Sequence, residues 1–577
     1  MMIKALVPRP LKRGIKRILI SLGLNPDEES ALRKRFQPDW AGILCRDFAR
    51  WKSACAAAKN GPRVLLANQT GTETQSTMVN SMLAVALTLR GARVHILLCD
   101  EALPACSLSR IDNLPPEELV QFGPARRLCG TCFSPSHKLF QSFHLATHRY
   151  SEFISAEEYQ KARDLSSDLP ITEIGEYRLN GVAVGKHALA GAVRFYVRGN
   201  LEGEPLGEAV LRRYFNASLL TAFATHRLMN TVGFGCVCAL DGMYVPTGSI
   251  GEVARQEKVR VVNWVSAYRK RSFIFTHDNI FHHALLSEPT RYWENMNWTP
   301  GMEAEILDYL KSRWYGTQDW MAYVESPEDD VSAIAANLGM DFSKPCIGML
   351  TNIMWEGQIL FRGTAFPSML EWALQTIRYF ASRADLQLIV RVHPAEVRAT
   401  QLSRQPFIDE INRAFPTLPK NVFIIPPDSP ISTYATMLKC DAVIIYGTQT
   451  GMELTSMGIP VIVAGEAWVR NKGMTLDASS PEEYFTLLDR LPLKERLSEA
   501  VTQRARKYAY HFFFRRMLPL PFMVPTGDWP LFKLEVSGID DLLPGRSVGL
   551  DVICNGILNG DEFIYPAELH PEIFNDA

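Results

Sequence analysis

The run that decides the fold lies between residues 346 and 465: CIGMLTN (346–352), SMLEWALQTIRYFASR (368–383), LQLIVRVHP (386–394), FIDEINRAF (407–415), NVFIIPP (421–427), ISTYATMLKC (431–440), AVIIYG (442–447), TGMELTSMG (450–458) and PVIVAG (460–465). Five short apolar runs alternate with segments whose apolar residues recur at helical spacing. Continuous apolar strands separated by helices are typical of a parallel sheet covered on both faces. This run therefore predicts a doubly wound α/β domain.

The preceding half of the chain shows the same alternation less densely. RVLLAN (63–68) and RVHILLCD (93–100) flank a segment with helical periodicity, and GCVCAL (235–240) and VRVVNWV (259–265) are further strand candidates. Residues 110–232 between them are largely helical by pattern. We therefore predict an α/β fold of two Rossmann-like, doubly wound domains facing a cleft, with a helical insertion in the first.

A charged, helix-rich stretch around residues 303–338 separates the two halves and marks the boundary. The predicted parts are a basic amphipathic segment (1–40), an N-terminal α/β domain with its insertion (41–335), a C-terminal Rossmann-like domain (336–507) and a tail that packs across the domains (508–577).

Composition favours a globular protein without a charge-driven partner. The 577 residues are 47% hydrophobic and 21% charged, enough for two or three domains, and the formal net charge of −1 gives no overall attraction to nucleic acid. No apolar run of 18 residues and no secretory signal occur, so we expect a cytoplasmic protein whose 11 cysteines are reduced.

Polar residues follow the strands of the C-terminal domain. Ligands of open parallel sheets bind beyond the carboxyl ends of the strands, so these positions are the expected ligand-binding residues. They are Asn352, Glu356, Arg391, His393, Glu396, Ser429, Ser432, Thr448, Gln449, Thr450, Gly451, Glu453 and Lys472.

The loop YGTQTGMEL (446–454) gives the sharpest prediction. Small and hydroxyl residues lead from strand into helix, where free backbone N–H groups and the positive helix end attract phosphate. Glu453 in the first turn would accept hydrogen bonds from ribose hydroxyls or a base edge, or would only stabilise the helix N-terminus. His393 would donate a hydrogen bond to phosphate or carboxylate, or would be satisfied by a loop carbonyl.

TNIMWEGQ (351–358), RVHPAE (391–396), DSPIS (428–432) and GTQTGMELTSMGIPVIVAG (447–465) followed by NKGMT (471–475) resemble the C-terminal half of capsule polysaccharide biosynthesis proteins, the group that includes bacterial Kdo transferases of capsule assembly. The resemblance covers residues 345–480. It implies the GT-B architecture, a nucleotide-sugar donor held by the C-terminal domain, and donor contacts from His393, Glu396, Ser432, Thr450 and Glu453. This chain has Thr448 and Thr450 where serines are usual and Glu356 where aspartate is expected, so the donor's identity stays open.

Transfer to a hydroxyl needs a base from the N-terminal domain, across the cleft. The strand-end candidates are Glu73, Asp100, Asp241, His277 and Asp278. Asp241, directly after a buried strand, is the favoured base, and His277 in FIFTHDN (273–279) is the second choice.

Cys129, Cys132, His144 and His148 approach a zinc-ligand spacing, but the central gap is one residue short. No aspartate pair of the metal-binding kind is evident. We therefore expect transfer without a metal or other cofactor, the nucleotide sugar, CMP- or UDP-linked, being a substrate.

Segments near both ends of the chain are predicted to contact either a membrane or the rest of the protein. Residues 3–24 predict a basic amphipathic helix that either lies on anionic lipid or packs its apolar stripe on the domains. The aromatic stretch 508–525 either touches lipid or buries its rings between domains.

The predicted function is transfer of a sugar from a nucleotide-sugar donor to a surface or capsular polysaccharide, or to a lipid-linked glycan. The alternatives are nucleotide-sugar epimerisation or polyol-phosphate transfer on the same fold, and a non-catalytic role in glycan assembly.

Overall fold

The computed structural model describes residues 36–570 apart from 68–70, 72, 325, 362 and 528. Two sheets, one of seven strands and one of six, organise this part of the chain. The helix predicted over residues 3–24 lies outside the described residues.

The N-terminal sheet has the strand order β13-β6-β5-β4-β1-β2-β3. Its strands are β1 Arg63–Ala67, β2 Arg93–Leu98, β3 Ala146–Arg149, β4 Cys236–Leu240, β5 Arg260–Ser266, β6 Ser272–His277 and β13 Leu518–Pro519. The strands from β3 to β5 are parallel, whereas β6 is antiparallel to both of its neighbours. That reversal decides which of the predicted residues reach the cleft.

Helices cover both faces of this sheet. They are α1 Trp40–Arg46, α2 Phe48–Ala58, α3 Thr74–Leu89, α4 Pro116–Phe122, α5 Gly130–Gln141, α6 Ala156–Asp168, α7 Ile171–Ile174, α8 Val184–Tyr196, α9 Gly207–Val232, α10 Thr247–Gln256, α11 Phe281–Leu286, α12 Arg291–Glu294 and α13 Pro300–Trp314. The segment 110–232 is mostly helical, as predicted. It also contributes the edge strand β3, whose four partly exposed residues lack the apolar run of a buried strand.

The C-terminal sheet is parallel throughout, with the order β12-β11-β10-β7-β8-β9. Its strands are β7 Cys346–Leu350, β8 Gln387–Arg391, β9 Val422–Ile425, β10 Ala442–Ile445, β11 Val461–Val463 and β12 Leu476–Asp477. The five predicted strands are present, and the two-residue β12 adds a sixth. Every residue of β7, β8, β10 and β11 is buried, as continuous apolar strands between two helical layers should be.

The helices of this domain are α14 Val331–Leu338, α15 Met369–Ala381, α16 Ala395–Arg398, α17 Phe407–Ala414, α18 Thr433–Met437, α19 Thr450–Ser456, α20 Pro481–Asp489 and α21 Glu499–Tyr510. Ser368 caps α15 by accepting a hydrogen bond from the Glu371 N–H, and Trp372 on the inner side of that helix is fully buried. The chain thus alternates strand and helix as its sequence predicts.

After α21 the chain returns to the N-terminal domain. A π-helical turn, His511–Arg515, leads into β13, then into the hairpin β14 Met523–Pro525 and β15 Phe532–Leu534, and finally into α22 Val548–Asn559. Phe512, Phe513 and Phe514 are buried in a core cluster that contains residues of both sheets. The aromatic stretch therefore fills the space between the domains.

Within the described residues, no helix combines the length and the apolar composition that crossing a membrane requires.

Candidate functional site

The carboxyl ends of four C-terminal strands surround a cavity of about 250 Å³. Because β7, β8, β9 and β10 are parallel, the loops that follow them meet at one edge of the sheet. The predicted residues that line the cavity are Asn352, Arg391, His393, Ser432, Thr448, Gln449 and Thr450. The opposite wall comes from residues 313–324 and from Tyr268 of the N-terminal domain. We call this space the strand-end cavity.

His393 is held in one protonation state. Its Nδ1 accepts a hydrogen bond from the Ala395 N–H at 3.1 Å, and burial followed by the charge of Arg391 lowers the imidazole pKa to about 4. A neutral ring whose Nδ1 accepts must carry its proton on Nε2. Tyr323 packs edge-on against the ring at 5.6 Å. His393 therefore presents the cavity with a neutral hydrogen-bond donor rather than a positive charge.

Asn352 and Ser432 are each fixed by the backbone. The Asn352 amide donates to the Gly447 carbonyl at 2.9 Å, tying the loop after β7 to the loop after β10. Ser432 caps α18 by accepting from the Ala435 N–H at 3.2 Å. Both side chains line the cavity while shaping it.

Glu453 is buried in an ion-pair network behind the cavity wall. One carboxylate oxygen lies 3.2 Å from Arg313 Nε and accepts from Gln449 at 2.8 Å, and the other accepts from the Tyr434 hydroxyl at 2.6 Å. Burial raises the pKa of Glu453, while Arg313 opposes that rise. Arg313 also pairs with Asp319. Glu453 thus orders the cavity wall, and ribose hydroxyls would have to compete with three existing partners.

Arg391 lines the strand-end cavity, but its guanidinium is hydrogen-bonded within the protein. Its guanidinium donates to the carbonyls of Pro426 and Ser429 and to the Thr433 hydroxyl, and burial lowers its pKa to about 10. The Ser429 hydroxyl accepts from the Ile431 N–H within the same turn. These two residues support the loop after β9.

Glu396 and Lys472 lie outside the strand-end cavity. Glu396 accepts from the Phe407 N–H at the start of α17, and burial raises its pKa to about 7. The Lys472 ammonium donates to the Leu286 carbonyl of the N-terminal domain at 3.1 Å, and burial lowers its pKa to about 8. The predicted donor contacts from these two residues do not fit their positions, since both are used to join elements of the fold.

Gly451 has a packing role. A Cβ at this position would lie 2.5 Å from Ile445 Cδ1, so glycine lets α19 pack on β10 without displacing that side chain. The helix has seven residues, and Thr448, Gln449 and Thr450 at its start border the cavity.

Across the cleft, the N-terminal domain presents carboxyls around one arginine. Asp241 ends β4 with a left-handed φ of 49° and accepts from the Met243 N–H at 2.7 Å. Burial raises the pKa of Asp241 and of Glu73, and the charge of Arg194 opposes both rises. A strained, non-glycine backbone at a strand end is typical of functional positions.

The C-terminal domain adds Glu356 to this group. Its exposed side chain lies within electrostatic range of Arg194 and Asp241. The loop that carries it also reaches the N-terminal domain through the Lys186 ammonium, which donates to the Leu360 carbonyl at 3.0 Å. We call Glu73, Asp241, Glu356 and Arg194 the acidic cluster. The sequence predicted Glu356 among the donor contacts, whereas the structure places it with the candidate bases.

His277 and Asp278 lie beside the amino ends of the parallel strands, at the end of the N-terminal sheet opposite to Asp241. His277 pairs with Val262 near the start of β5, because β6 runs antiparallel to it. Its Nε2 lies 2.9 Å from the Asp561 carbonyl, and its ring stacks on Phe563. The prediction of His277 as a second base does not fit this position, since it assumed a parallel strand.

Asp100 follows β2 and accepts hydrogen bonds from the Ser151 N–H and hydroxyl. It therefore closes the turn after β3 rather than joining the acidic cluster.

The zinc-like residues separate into two places. His148 on β3 contacts His95 with ring nitrogens 2.8 Å apart, whereas Cys132 accepts from the Gly71 N–H. Cys129 and Cys132 line a small cavity with two other cysteines. Among the described residues, no group of three or more His, Cys, Asp or Glu side chains is arranged to hold a metal ion.

Two important residues escaped the sequence prediction. Arg194 lies in the last turn of α8 and Arg313 in the last turn of α13, so neither follows a strand. Both lie within helices, so only tertiary packing brings them to the site. Arg194 reaches Asp241 and Glu73 within the N-terminal domain. Arg313 reaches Glu453 of the C-terminal domain.

Residues 355–510 match the family model described as capsule polysaccharide biosynthesis protein. The resemblance seen in the motifs is thus confirmed over this part of the chain, and the two helix-covered sheets, parallel apart from the reversed β6, confirm the predicted GT-B-like arrangement of two Rossmann-like domains. A search of curated proteins gave no match.

The solved structures to which this chain is similar include two of Thermosulfurimonas dismutans KpsC. The beta Kdo 2,4 transferase is 13% identical, with 48% of this chain and 80% of that chain covered and a TM-score of 0.31. The beta Kdo 2,7 transferase is 12% identical, with 49% and 79% covered and a TM-score of 0.29. The UDP-GlcNAc 2-epimerase of Methanocaldococcus jannaschii is 11% identical, with 78% and 98% covered and a TM-score of 0.25. Likenesses this low carry no argument about activity.

Proposed function

Because residues 355–510 carry the signature of the capsule polysaccharide biosynthesis family, we propose that the protein transfers a sugar from a nucleotide-sugar donor to a surface or capsular polysaccharide or a lipid-linked glycan. The observation that carries the proposal is the strand-end cavity, in which four parallel strands bring hydroxyl, amide and imidazole groups together. Glu356 of the acidic cluster lies within electrostatic range of Tyr268 and Tyr323 in the wall of this cavity.

The cavity suits a donor bound through neutral hydrogen bonds. The Nε2–H of His393 and the hydroxyls of Thr448 and Thr450 supply donors for phosphate or sugar oxygens. Trp314 and Tyr434, stacked at 5.5 Å, and Tyr323 supply aromatic surface for a base. We propose a CMP- or UDP-linked donor and transfer without a metal cofactor.

The chemistry assigned to the acidic cluster is proton removal from the acceptor hydroxyl. Asp241 takes this proton, the hydroxyl oxygen bonds to the anomeric carbon, and the bond from that carbon to the nucleotide phosphate breaks. The raised pKa of Asp241 makes its carboxylate a stronger base than an exposed aspartate. The charge of Arg194 opposes the rise that burial causes in the pKa of Asp241 and of Glu73 and so favours their ionised forms.

We also propose that the reaction takes place at the cytoplasmic face of the cell membrane. The support is the basic amphipathic pattern of residues 3–24, which favours contact with anionic lipid. Flotation of the full chain with vesicles containing phosphatidylglycerol, compared with neutral phosphatidylcholine vesicles, tests this. Equal recovery with both vesicles would exclude an electrostatic anchor.

The donor site is tested by thermal unfolding of the full chain with CMP, UDP, GDP and CDP. A ligand that binds the folded state raises the melting temperature, so at least one nucleotide should stabilise the wild type. His393→Ala should remove that response, whereas His226→Ala, an exposed histidine on the far side of the N-terminal domain, should keep it. No response to any nucleotide in the wild type would overturn the proposal.

The reaction class needs a second measurement. Incubation with the nucleotide sugar of the stabilising base should release free nucleotide only when an acceptor glycan or water accepts the sugar. Appearance of an altered nucleotide sugar without acceptor would instead identify an epimerase.

A further inference from the structure

A second cavity, of about 270 Å³, adjoins the loop between Asn352 and Phe361. Asn352 lines the strand-end cavity, whereas Met354 and Gln358 line the second one. The loop after β10 is divided in the same way, since Tyr446 lines the second cavity and Thr448 the first. The same two loops therefore contribute residues to both cavities, and Glu356 of the acidic cluster lies on the first of these loops.

The chemistry of the second cavity differs from that of the acidic cluster. Among its described lining residues none is charged, and its polar side chains are the amides of Asn200, Gln358 and Gln405 and the hydroxyls of Ser368 and Tyr446. The remaining lining is apolar, chiefly methionine, isoleucine, leucine and phenylalanine. Such a site offers hydrogen bonds to hydroxyl groups but no partner for a carboxylate or phosphate.

Most of the polar groups are fixed within the protein. Gln405 accepts from the Gly199 N–H at 3.0 Å and donates to Glu410, and the Tyr446 hydroxyl donates to the Phe366 carbonyl. The Gln358 amide makes no hydrogen bond to another described side chain or backbone group. It is therefore the amide available to a ligand.

Two rigid aromatic rings complete the cavity. Tyr446 is held by its hydroxyl, and Phe361 stacks on His282 with ring centres 3.6 Å apart. His282 is in turn placed by Glu466, whose carboxylate lies 3.3 Å from its Nε2. Ordered aromatic faces beside amides match a sugar ring, which has apolar C–H faces and a hydroxyl edge.

We propose that the second cavity is a subsite for an uncharged sugar unit of the acceptor glycan. The proposal rests on the proposed glycosyl transfer and adds a substrate class to it. The sugar lies against Tyr446 and Phe361, exchanges hydrogen bonds with the Gln358 amide, and leads the glycan past Glu356 to the acidic cluster. Its volume, near the lower end of the usual range of about 300–1,000 Å³ for ligand pockets, suits a single sugar rather than a long segment.

Ligand-observed NMR of the full chain with methyl glycosides tests the subsite directly. Methyl glucoside, methyl galactoside, methyl mannoside and methyl N-acetylglucosaminide are the neutral probes, and methyl galacturonide is the charged one. At least one neutral glycoside should show saturation transfer, and the galacturonide should bind at least about tenfold more weakly, because its carboxylate would be desolvated without a partner.

Two variants locate the binding. Gln358→Ala should weaken the neutral probe about tenfold by leaving sugar hydroxyls unpaired, and Asn200→Trp should block the exposed rim. Gln141→Ala, at an exposed position on α5, is the matched control and should bind as the wild type does. Unchanged melting temperatures exclude unfolding as the cause.

The nucleotide response separates this proposal from the proposed function. Gln358→Ala should keep stabilisation by nucleotide, and His393→Ala should keep glycoside binding. Nucleotide stabilisation without binding of any neutral glycoside, equal binding of the galacturonide, or wild-type binding by Gln358→Ala would each overturn the subsite while leaving the donor site intact. Glycoside binding without any nucleotide response would overturn the proposed transfer and leave a glycan-binding cavity.

Discussion

The residues that follow the strands are arranged differently in the two sheets. In the C-terminal sheet every strand is parallel, so residues that follow successive strands meet at one edge and enclose the strand-end cavity. In the N-terminal sheet β6 is reversed, so His277 at its end lies beside the amino ends of the parallel strands. Asp241, after the carboxyl end of β4, lies in the cleft. The position of a residue after a strand therefore predicts a site only when the direction of that strand is known.

Substituting Asp241 and His277 separately gives the largest expected difference in kcat. Asp241→Asn should lower kcat for sugar transfer by about 10²–10⁴-fold, the usual contribution of a general base, and should retain nucleotide stabilisation. His277→Gln should leave kcat within a factor of about two, because its ring contacts Phe563 and the Asp561 carbonyl instead of the cleft. Steady-state kinetics of both variants check the contrast. A severe loss in His277→Gln with an unchanged melting temperature would contradict it.

The next largest expected effect is on the free energy of unfolding and comes from the buried charge network behind the strand-end cavity. Arg313→Met should lower the free energy of unfolding by about 3–5 kcal/mol, because Glu453 and Asp319 would lose their buried counter-charge. Arg163→Met, on the exposed face of α6, is the matched control and should change it by no more than about 0.5 kcal/mol. Urea unfolding at neutral pH measures both. Equal stability of the two variants would show that the network contributes no net stabilisation.

The sequence predicted the alternation of strand and helix because each buried strand is continuously apolar and each helix has its own stop or cap. It also predicted Asn352 and His393 at the cavity, since both lie shortly after a parallel strand, and Ser432, which caps the helix that follows β9. Arg391 and Lys472 follow strands as well, but their long side chains reach carbonyl groups of other loops. Which groups a flexible charged side chain reaches depends on packing that no local pattern contains.

Glu396 tests the difference between residues that bind a ligand and residues that support the fold. Burial raises its pKa from the ordinary value to about 7, so the folded protein holds a proton that the unfolded chain releases. The contribution of Glu396 to stability is therefore fully present below the ordinary glutamate pKa and is lost as the pH rises toward and past 7, by up to about 3 kcal/mol.

Glu396→Gln should remove this part of the pH dependence and be more stable than the wild type at pH 8. Urea unfolding at pH 5 and pH 8 checks it, with Glu157→Gln at the exposed start of α6 as the matched control. Nucleotide stabilisation should survive in Glu396→Gln, since the residue lies against α17. Loss of that stabilisation would restore Glu396 to the donor site.

The smallest and most specific expected effect is the influence of His393 on the pH dependence of nucleotide binding. With a pKa of about 4 the ring stays neutral across pH 5–8, so the nucleotide dissociation constant should change little with His393 over this range, apart from titration of the phosphate itself. A cationic histidine with the ordinary pKa would instead bind phosphate more strongly at pH 5 than at pH 8. His393→Asn, which retains a neutral N–H donor, should therefore recover part of the affinity that His393→Ala loses, at every pH in the range. Isothermal titration of the two variants and the wild type at pH 5, 6.5 and 8 separates the mechanisms, because only a charged imidazole makes the wild-type advantage over His393→Asn grow as the pH falls.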